Sequence, residues 1–111
     1  MRNQVYNSHR IELLLQLYEK DASDPFTLFA LGFEYQKKGE LYEALRWYES
    51  IVKITPNYTG VYYHLGKVYV ELGRMKDAAR IYEKGIEICK KLQEMKDLAE
   101  LQQASMELDD D

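Results

Sequence analysis

Cysteine is almost absent from this chain, since Cys89 is the only one among 111 residues. A single thiol excludes an intrachain disulfide and any metal site built from paired cysteines. Disulfides accumulate in secreted proteins and other oxidising settings. Their absence favours a reducing environment, so we expect a cytoplasmic protein.

Long apolar runs are missing as well. The most apolar stretch near the N-terminus, residues 11–17, is interrupted by Glu12 and Gln16 and does not resemble a secretory signal. No segment approaches the about 18 consecutive apolar residues that a transmembrane helix requires. The 15 basic residues are outnumbered by 19 acidic ones, giving a net charge of −4. Nucleic-acid binding needs a basic surface. We therefore expect neither a membrane nor a nucleic acid as a partner.

Catalytic motifs are also lacking. The sequence contains no phosphate-binding glycine loop, nucleophile elbow, zinc-protease motif or calcium loop. Catalysis by His9 or His64 would need several partner groups that converge on the ring, and the sequence shows no such acid–base or metal-binding group. A packed or solvated role is favoured for both, with a hydrogen bond from His64 to a bound ligand as the alternative. Cys89 is interpreted as a small packed residue rather than a reactive thiol. We predict no catalytic residues, no metal and no cofactor, and a protein that is not an enzyme.

What the chain does contain is an internal repeat of 34 residues. When residues 25–58 are laid over residues 59–92, nine positions are identical, against about two expected by chance. Those identical positions are, in the first unit, Leu31, Gly32, Tyr35, Gly39, Ala44, Arg46, Tyr48, Glu49 and Ile54. A period of this length is typical of repeat architectures.

Each repeat unit is predicted to form two helices. Asp24 and Pro25 are favoured residues for the N-cap and the first turn of a helix, and Gly39 is a favoured residue just after its end. The second helix follows and stops at residues 55–57. Small Gly32 lies where the two helices cross, and large Tyr48 fills the space around that crossing. The second unit repeats the pattern.

The motif resembles the tetratricopeptide repeat: a Leu-Gly pair, a Tyr, a second Gly, then an Ala and an aromatic residue, within 34 residues. Pro56 occupies the closing proline of that family, whereas Lys90 replaces it in the second unit, so the helix there should run longer. The resemblance implies an all-α, right-handed stack of helical hairpins. We predict one domain, residues 1–111, with repeats at 25–58 and 59–92. A helix over residues 8–20, capped by Ser8, and a C-terminal capping helix over residues 97–108, capped by Asp97, bring the total to about six helices.

The resemblance also implies a concave groove, lined by the first helix of each unit, that receives peptides or partner helices. The residues predicted to bind a partner there are Phe26, Phe29, Phe33, Tyr63, His64 and Lys67. The three Phe residues recur at helical spacing on one side of their helix, away from its Leu-Gly-Tyr stripe. The charged clamp by which some family members hold an acidic peptide terminus is absent, because Phe and His occupy its positions.

Two interpretations of the Phe residues remain open at this point. Either the N-terminal helix covers them and makes them core, or they line an open groove. The function favoured is a non-enzymatic interaction module that binds an apolar or amphipathic peptide or helix. The alternative is a self-assembling protein that uses the same face, or an end of the stack, to form a homodimer.

Overall fold

The computed structural model describes the backbone of residues 2–109 and the side chains of residues 9–108. This part of the chain is all-α and contains no strand. Its helices are α1 (Arg2–Lys20), α2 (Pro25–Lys37), α3 (Leu41–Ile54), α4 (Val61–Glu71), α5 (Met75–Leu92) and α6 (Met95–Asp109). Neighbouring helices pack in chain order, which confirms the predicted α-solenoid. Within residues 2–109, no helix is long and apolar enough to cross a membrane.

The two predicted hairpins are α2 with α3 and α4 with α5. Helix α2 starts as the sequence predicts: Pro25 is its first residue, and the Asp24 side chain accepts a hydrogen bond from the Phe26 amide at 3.1 Å. Each hairpin turns at a glycine with a left-handed backbone, since φ is 81° at Gly39 and 77° at Gly73. A side chain is unfavourable in that conformation, so glycine sets the turn.

Close helix crossings hold each hairpin together. A Cβ atom added to Gly32 would lie 2.5 Å from the Tyr48 ring, and one added to Gly66 would lie closer still to Tyr82. Both tyrosines are buried against the bare backbone. This is the predicted pairing of a small residue on one helix with a large residue on the other.

Helix α1 begins at Arg2, earlier than the predicted start at residue 8. It packs against α2, where the Arg10 guanidinium forms an ion pair of 2.8 Å with the buried carboxylate of Glu34. It also meets α3, where the rings of Tyr18 and Trp47 lie edge to face with centroids 5.0 Å apart. Helix α1 therefore lies against both helices of the first hairpin.

Helices α5 and α6 complete the stack. Helix α5 has 18 residues against 14 in α3, so the longer helix predicted from the missing proline is confirmed. Gln93 caps its C-terminal end and has a left-handed backbone conformation, with a φ of 59°. Helix α6 starts at Met95 rather than at residue 97, and Asp97 lies in its first turn. There Asp97 accepts a hydrogen bond of 2.7 Å from the Thr59 hydroxyl, which fastens α6 to the start of α4.

Candidate partner-binding groove

Aromatic and imidazole rings from α2, α3, α4 and the α3–α4 loop gather in one place. We call this group the aromatic cluster; its members are Phe29, Phe33, Tyr48, Tyr58, Tyr63 and His64. Phe29 and Phe33 are one helical turn apart on α2, so their rings stack with centroids 6.3 Å apart. Four of the predicted site residues therefore lie together.

His64 occupies the centre of the aromatic cluster. Its ring meets Phe29 edge to face at a centroid distance of 5.1 Å, Tyr63 at 5.4 Å and Phe33 at 5.9 Å. Such edge-to-face contacts are a favoured geometry for ring pairs. The histidine thus joins the ring pair on α2 to the aromatic residue on α4.

The surroundings of His64 favour the neutral form of its ring. Burial lowers the pKa of the imidazole below its ordinary value, because the charged form loses water. The carboxylates of Glu100 and Asp97 on α6 act in the opposite direction and are the weaker influence. A neutral ring that packs among aromatic side chains is consistent with a structural role.

The outer part of the site is open. Phe26 keeps 75% of its surface exposed and Phe33 keeps 38%. Phe29 is only half-buried, and its ring packs against Tyr48 at 5.6 Å and against Tyr58 at 5.9 Å. Two other members of the aromatic cluster, one on α3 and one in the α3–α4 loop, therefore cover part of this ring. The Phe residues thus divide into two exposed rings and one that joins the core.

Two lysines lie over the exposed side of these rings. The Lys37 ammonium group is 5.0 Å from the centre of the Phe33 ring, and the Lys67 ammonium group is 5.8 Å from that of Tyr63. Lys37 also forms an ion pair of 3.1 Å with Glu34. Cations at this distance from a ring face are attracted to it. The predicted Lys67 therefore lies at the edge of the aromatic surface.

Sequence analysis missed two members of the cluster. It assigned Tyr48 only to the helix crossing, but the same ring also contacts Phe29, and its hydroxyl donates to Gln36 Oε1 at 2.7 Å. The periodicity of α3 could have shown that Tyr48 borders α2 on this side. Tyr58 lies in a loop, where no periodicity indicates which way a side chain points.

The described part of the chain offers no grouping of three or more metal-binding side chains. Cys89 is fully buried in α5, and burial raises the pKa of its thiol. A buried, protonated thiol is a poor nucleophile. The arrangement around the aromatic cluster suits binding through apolar and ring surfaces.

The fold and the aromatic surface define a helical-repeat solenoid of the protein-interaction class. One family model, TPR repeat, matches residues 32–73, and a second, tetratricopeptide repeat, matches residues 59–92. A solved tetratricopeptide repeat domain from Salinibacter ruber is 43% identical, with a TM-score of 0.74 over 78% of this chain and 96% of that one. This chain belongs to the tetratricopeptide repeat family.

More distant solved structures share the fold alone. PcrH, solved in complex with the chaperone binding region of PopD, has a TM-score of 0.85 at 15% identity, over 96% of this chain and 81% of that one. The type III secretion translocator chaperone SycD of Yersinia enterocolitica has the same TM-score at 13% identity, over 97% of this chain and 75% of that one.

A curated sequence relative matches only part of the chain. The uncharacterized protein ycf37 of Pyropia yezoensis is 37% identical over 54 residues, which are 49% of this chain and 30% of that protein. This chain thus spans less than a third of that curated relative.

Proposed function

We propose that this protein is a non-enzymatic interaction module whose groove binds an apolar or amphipathic segment of a partner protein. The observation that carries the proposal is the exposure of two rings on one side of α2, Phe33 of the aromatic cluster and Phe26. Large aromatic side chains on one open face are typical of binding surfaces, where they act as energetic hot spots. His64 and Tyr63 extend that face to α4.

The half-buried members of the aromatic cluster support a preformed site. Phe29 is held between Tyr48 and Tyr58, and these contacts leave it little rotational freedom. A surface that is rigid before binding loses less conformational entropy when the partner arrives. Less of the binding energy of the exposed rings is then offset by the ordering of the site.

The composition of the site favours an apolar or amphipathic ligand. Its centre consists of rings, and its charges, Lys37 and Lys67, lie at the edge. An amphipathic helix places apolar side chains into such a groove and keeps its polar face in water. PcrH, a neighbour by fold, is solved with a region of another protein, which supports a protein segment as the ligand.

The test uses peptides selected from a display library on the purified protein and measured by fluorescence anisotropy. We expect selected peptides to carry apolar residues at helical spacing. Phe26→Ala and Phe33→Ala should each weaken binding by about 2 kcal/mol or more, as hot-spot truncations do. Unfolding stability should change by less than about 1 kcal/mol, because both rings are exposed.

Tyr42→Ala is the matched control, since Tyr42 on α3 is 71% exposed and lies outside the groove. It removes a ring of similar exposure and should leave peptide affinity unchanged. The proposal is wrong if Phe26→Ala and Phe33→Ala bind the selected peptides as tightly as the Tyr42→Ala variant does.

Self-assembly is a second candidate, favoured by a separate observation on α1. Leu13 and Leu17 lie one helical turn apart and are 48% and 51% exposed. A second copy that packed on this face would bury both. Sedimentation of the wild type beside Leu17→Glu tests this, since a dimer would dissociate in the variant and a wild-type monomer at high concentration would remove the candidate.

A further inference from the structure

A second groove lies on the other side of α4 from the aromatic cluster. Leu65 and Tyr69 face it, on the side of α4 that points away from Tyr63. Helices α3 and α5 form its walls, and its volume is about 490 Å³. Val52 and Ile81 complete an apolar floor. We call this the α3/α5 groove.

The groove is lined at two repeat positions by side chains smaller than their equivalents in the preceding unit. Between α1 and α3, the rings of Tyr18 and Trp47 meet with centroids 5.0 Å apart. At the repeat distance of 34 residues, the same positions hold Val52 and Ile81. Two aliphatic side chains therefore replace two aromatic ones, and the space between α3 and α5 stays open.

Basic side chains outnumber acidic ones in the lining of the α3/α5 groove. Arg46, Lys53 and Lys84 line it, against one carboxylate, that of Glu49. Arg46 is 3.5 Å from Glu43, whereas Lys53 and Lys84 form no ion pair among the side chains described. The chain as a whole carries a net charge of −4. The excess of cations is thus a local property of this groove.

We infer that the α3/α5 groove is a second docking site, which takes an acidic protein segment with at least one apolar side chain. The apolar side chain lies on the floor formed by Val52 and Ile81, where its burial stabilises the complex. Carboxylates of the segment pair with the ammonium groups of Lys53 and Lys84. This complementarity of charge excludes a basic segment, which would face three cations.

The site is independent of the aromatic cluster, because α4 separates the two. The two sites also differ in the balance of rings and charges. The aromatic cluster offers ring surfaces with Lys37 and Lys67 at their edge, whereas the α3/α5 groove has no aromatic ring pair and is lined by three basic side chains. A protein that holds one segment on each face brings two partners together, or two parts of one partner.

The probe is a labelled helical peptide of about 15 residues, long enough to hold helical structure, in which Leu recurs every third or fourth position among Glu residues. The comparison peptide has Lys in place of every Glu. Binding to the full chain is followed by fluorescence anisotropy at low and high salt. We expect the acidic peptide to bind, its affinity to fall as salt rises, and the basic peptide not to bind.

Three variants locate the binding. Lys84→Glu reverses a charge in the groove, and Ile81→Trp fills the floor with the residue found at the equivalent position, Trp47. Each should weaken the acidic peptide by about tenfold or more. Lys90→Glu is the control, since Lys90 is exposed on α5 outside the groove and the change in net charge is the same. It should alter affinity by less than about twofold.

Circular dichroism checks the fold of each variant, and the pair Lys53→Glu with Lys84→Glu replaces Ile81→Trp if that variant unfolds. The inference is overturned if the two peptides bind equally, or if binding survives both groove changes. It is also overturned if Phe33→Ala abolishes binding of the acidic peptide, which would assign it to the aromatic cluster. If duplex DNA, added at the same concentration of negative charge as the peptide, displaces the acidic peptide, the groove binds nucleic acid and the inference is wrong.

Discussion

At the scale of single residues, each hairpin depends on a ring that lies flat on bare backbone. Tyr82 packs on Gly66 and Tyr48 packs on Gly32, and both tyrosines have 1% or less of their surface exposed. A buried ring held on all sides cannot move aside, so volume added opposite it is destabilising. The glycines are therefore required by packing, although glycine is unfavourable inside a helix.

Gly66→Ala puts these two effects in opposition. Alanine gains about 1 kcal/mol in helix propensity, whereas overpacking costs about 1–3 kcal/mol. Because the new Cβ would meet the ring of Tyr82 directly, we expect overpacking in the upper part of that range, about 2–3 kcal/mol, and so a net loss of about 1–2 kcal/mol in urea melts. Gly60→Ala is the control, since the nearest atom to its new Cβ is 3.9 Å away. It should change stability by less than about 0.5 kcal/mol. Equal melts for the two variants would contradict the packing argument.

The lowered pKa of His64 makes stability depend on pH. The unfolded chain binds a proton near the ordinary histidine value of about 6.5, while the folded state does not take it up until lower pH. Stability due to the neutral ring is therefore fully present above that value. It is lost as pH falls from the unfolded pKa through the folded one.

We expect the melting temperature of the wild type to fall between pH 7.5 and pH 5, and to fall less in His64→Phe. Phenylalanine keeps a ring among Phe29, Phe33 and Tyr63 but cannot take up a proton. His9→Phe is the control because His9 is exposed at the surface of α1. If the wild type and His64→Phe lose stability equally over this range, the histidine does not carry the pH dependence.

At the scale of elements, the contact between α1 and α2 contains an unusual buried charge. Glu34 has 2% of its side chain exposed, and its Oε2 atom pairs with Arg10 and Lys37. Its Oε1 atom has no hydrogen-bond partner among the described residues. The equivalent position of the second unit is Val68, also buried. The position itself therefore accepts an apolar side chain.

Arg10→Ala and Glu34→Val should differ in their effect on stability, although both remove the same ion pair. Arg10→Ala leaves a buried carboxylate short of a partner, which costs about 1–2 kcal/mol. Glu34→Val removes the buried charge and leaves Arg10 free in water, so its melt should lie within about 1 kcal/mol of the wild type. Chemical denaturation of both variants measures this. A greater loss in Glu34→Val than in Arg10→Ala would mean that the ion pair stabilises the docking of α1.

The sequence was sufficient to predict the hairpins because their signals are local and occur twice. Each Gly-Tyr pair makes its contact within one hairpin, and each turn glycine shapes the backbone of one hairpin. The predicted starts of α1 and α6 were wrong, because each rested on a single capping residue. Ser8 lies inside α1, and α6 begins at Met95, before Asp97. The break before α6 is formed by Gln93 in a left-handed conformation that is common only for Gly or Asn, so the sequence did not indicate it.

The site was only partly predictable for the same reason. The spacing of the Phe residues placed them on one side of α2, since that depends on helical geometry alone. It did not show that Phe29 is half-buried, because Tyr48 and Tyr58 reach it from α3 and from a loop. Nor did it show the α3/α5 groove, which requires comparison of side chains on helices that are far apart in sequence.

At the scale of the whole molecule, helix α6 covers one end of the helical stack. Helix α6 buries Leu98, Leu101 and Ala104 against the second hairpin. A Cβ added to Gly85 of α5 would lie 2.9 Å from Leu101, so the contact is tight. The exposed side of α6 is polar except for Ala99 and the methionines Met95 and Met106. Terminal helices of this kind keep a helical-repeat stack soluble.

Deletion of residues 93–111 tests how far the second hairpin depends on α6. The deletion uncovers Cys89 and the groove beside Gly85, so the shortened chain should aggregate or melt without a cooperative transition. Leu101→Ala provides a milder perturbation of the same contact. It should keep the fold and lose about 2–5 kcal/mol, the usual cost of emptying a buried leucine position. Sedimentation and thermal melts measure both. If the shortened chain stays monomeric and melts at the wild-type temperature, α6 is an appendage and the two hairpins fold without it.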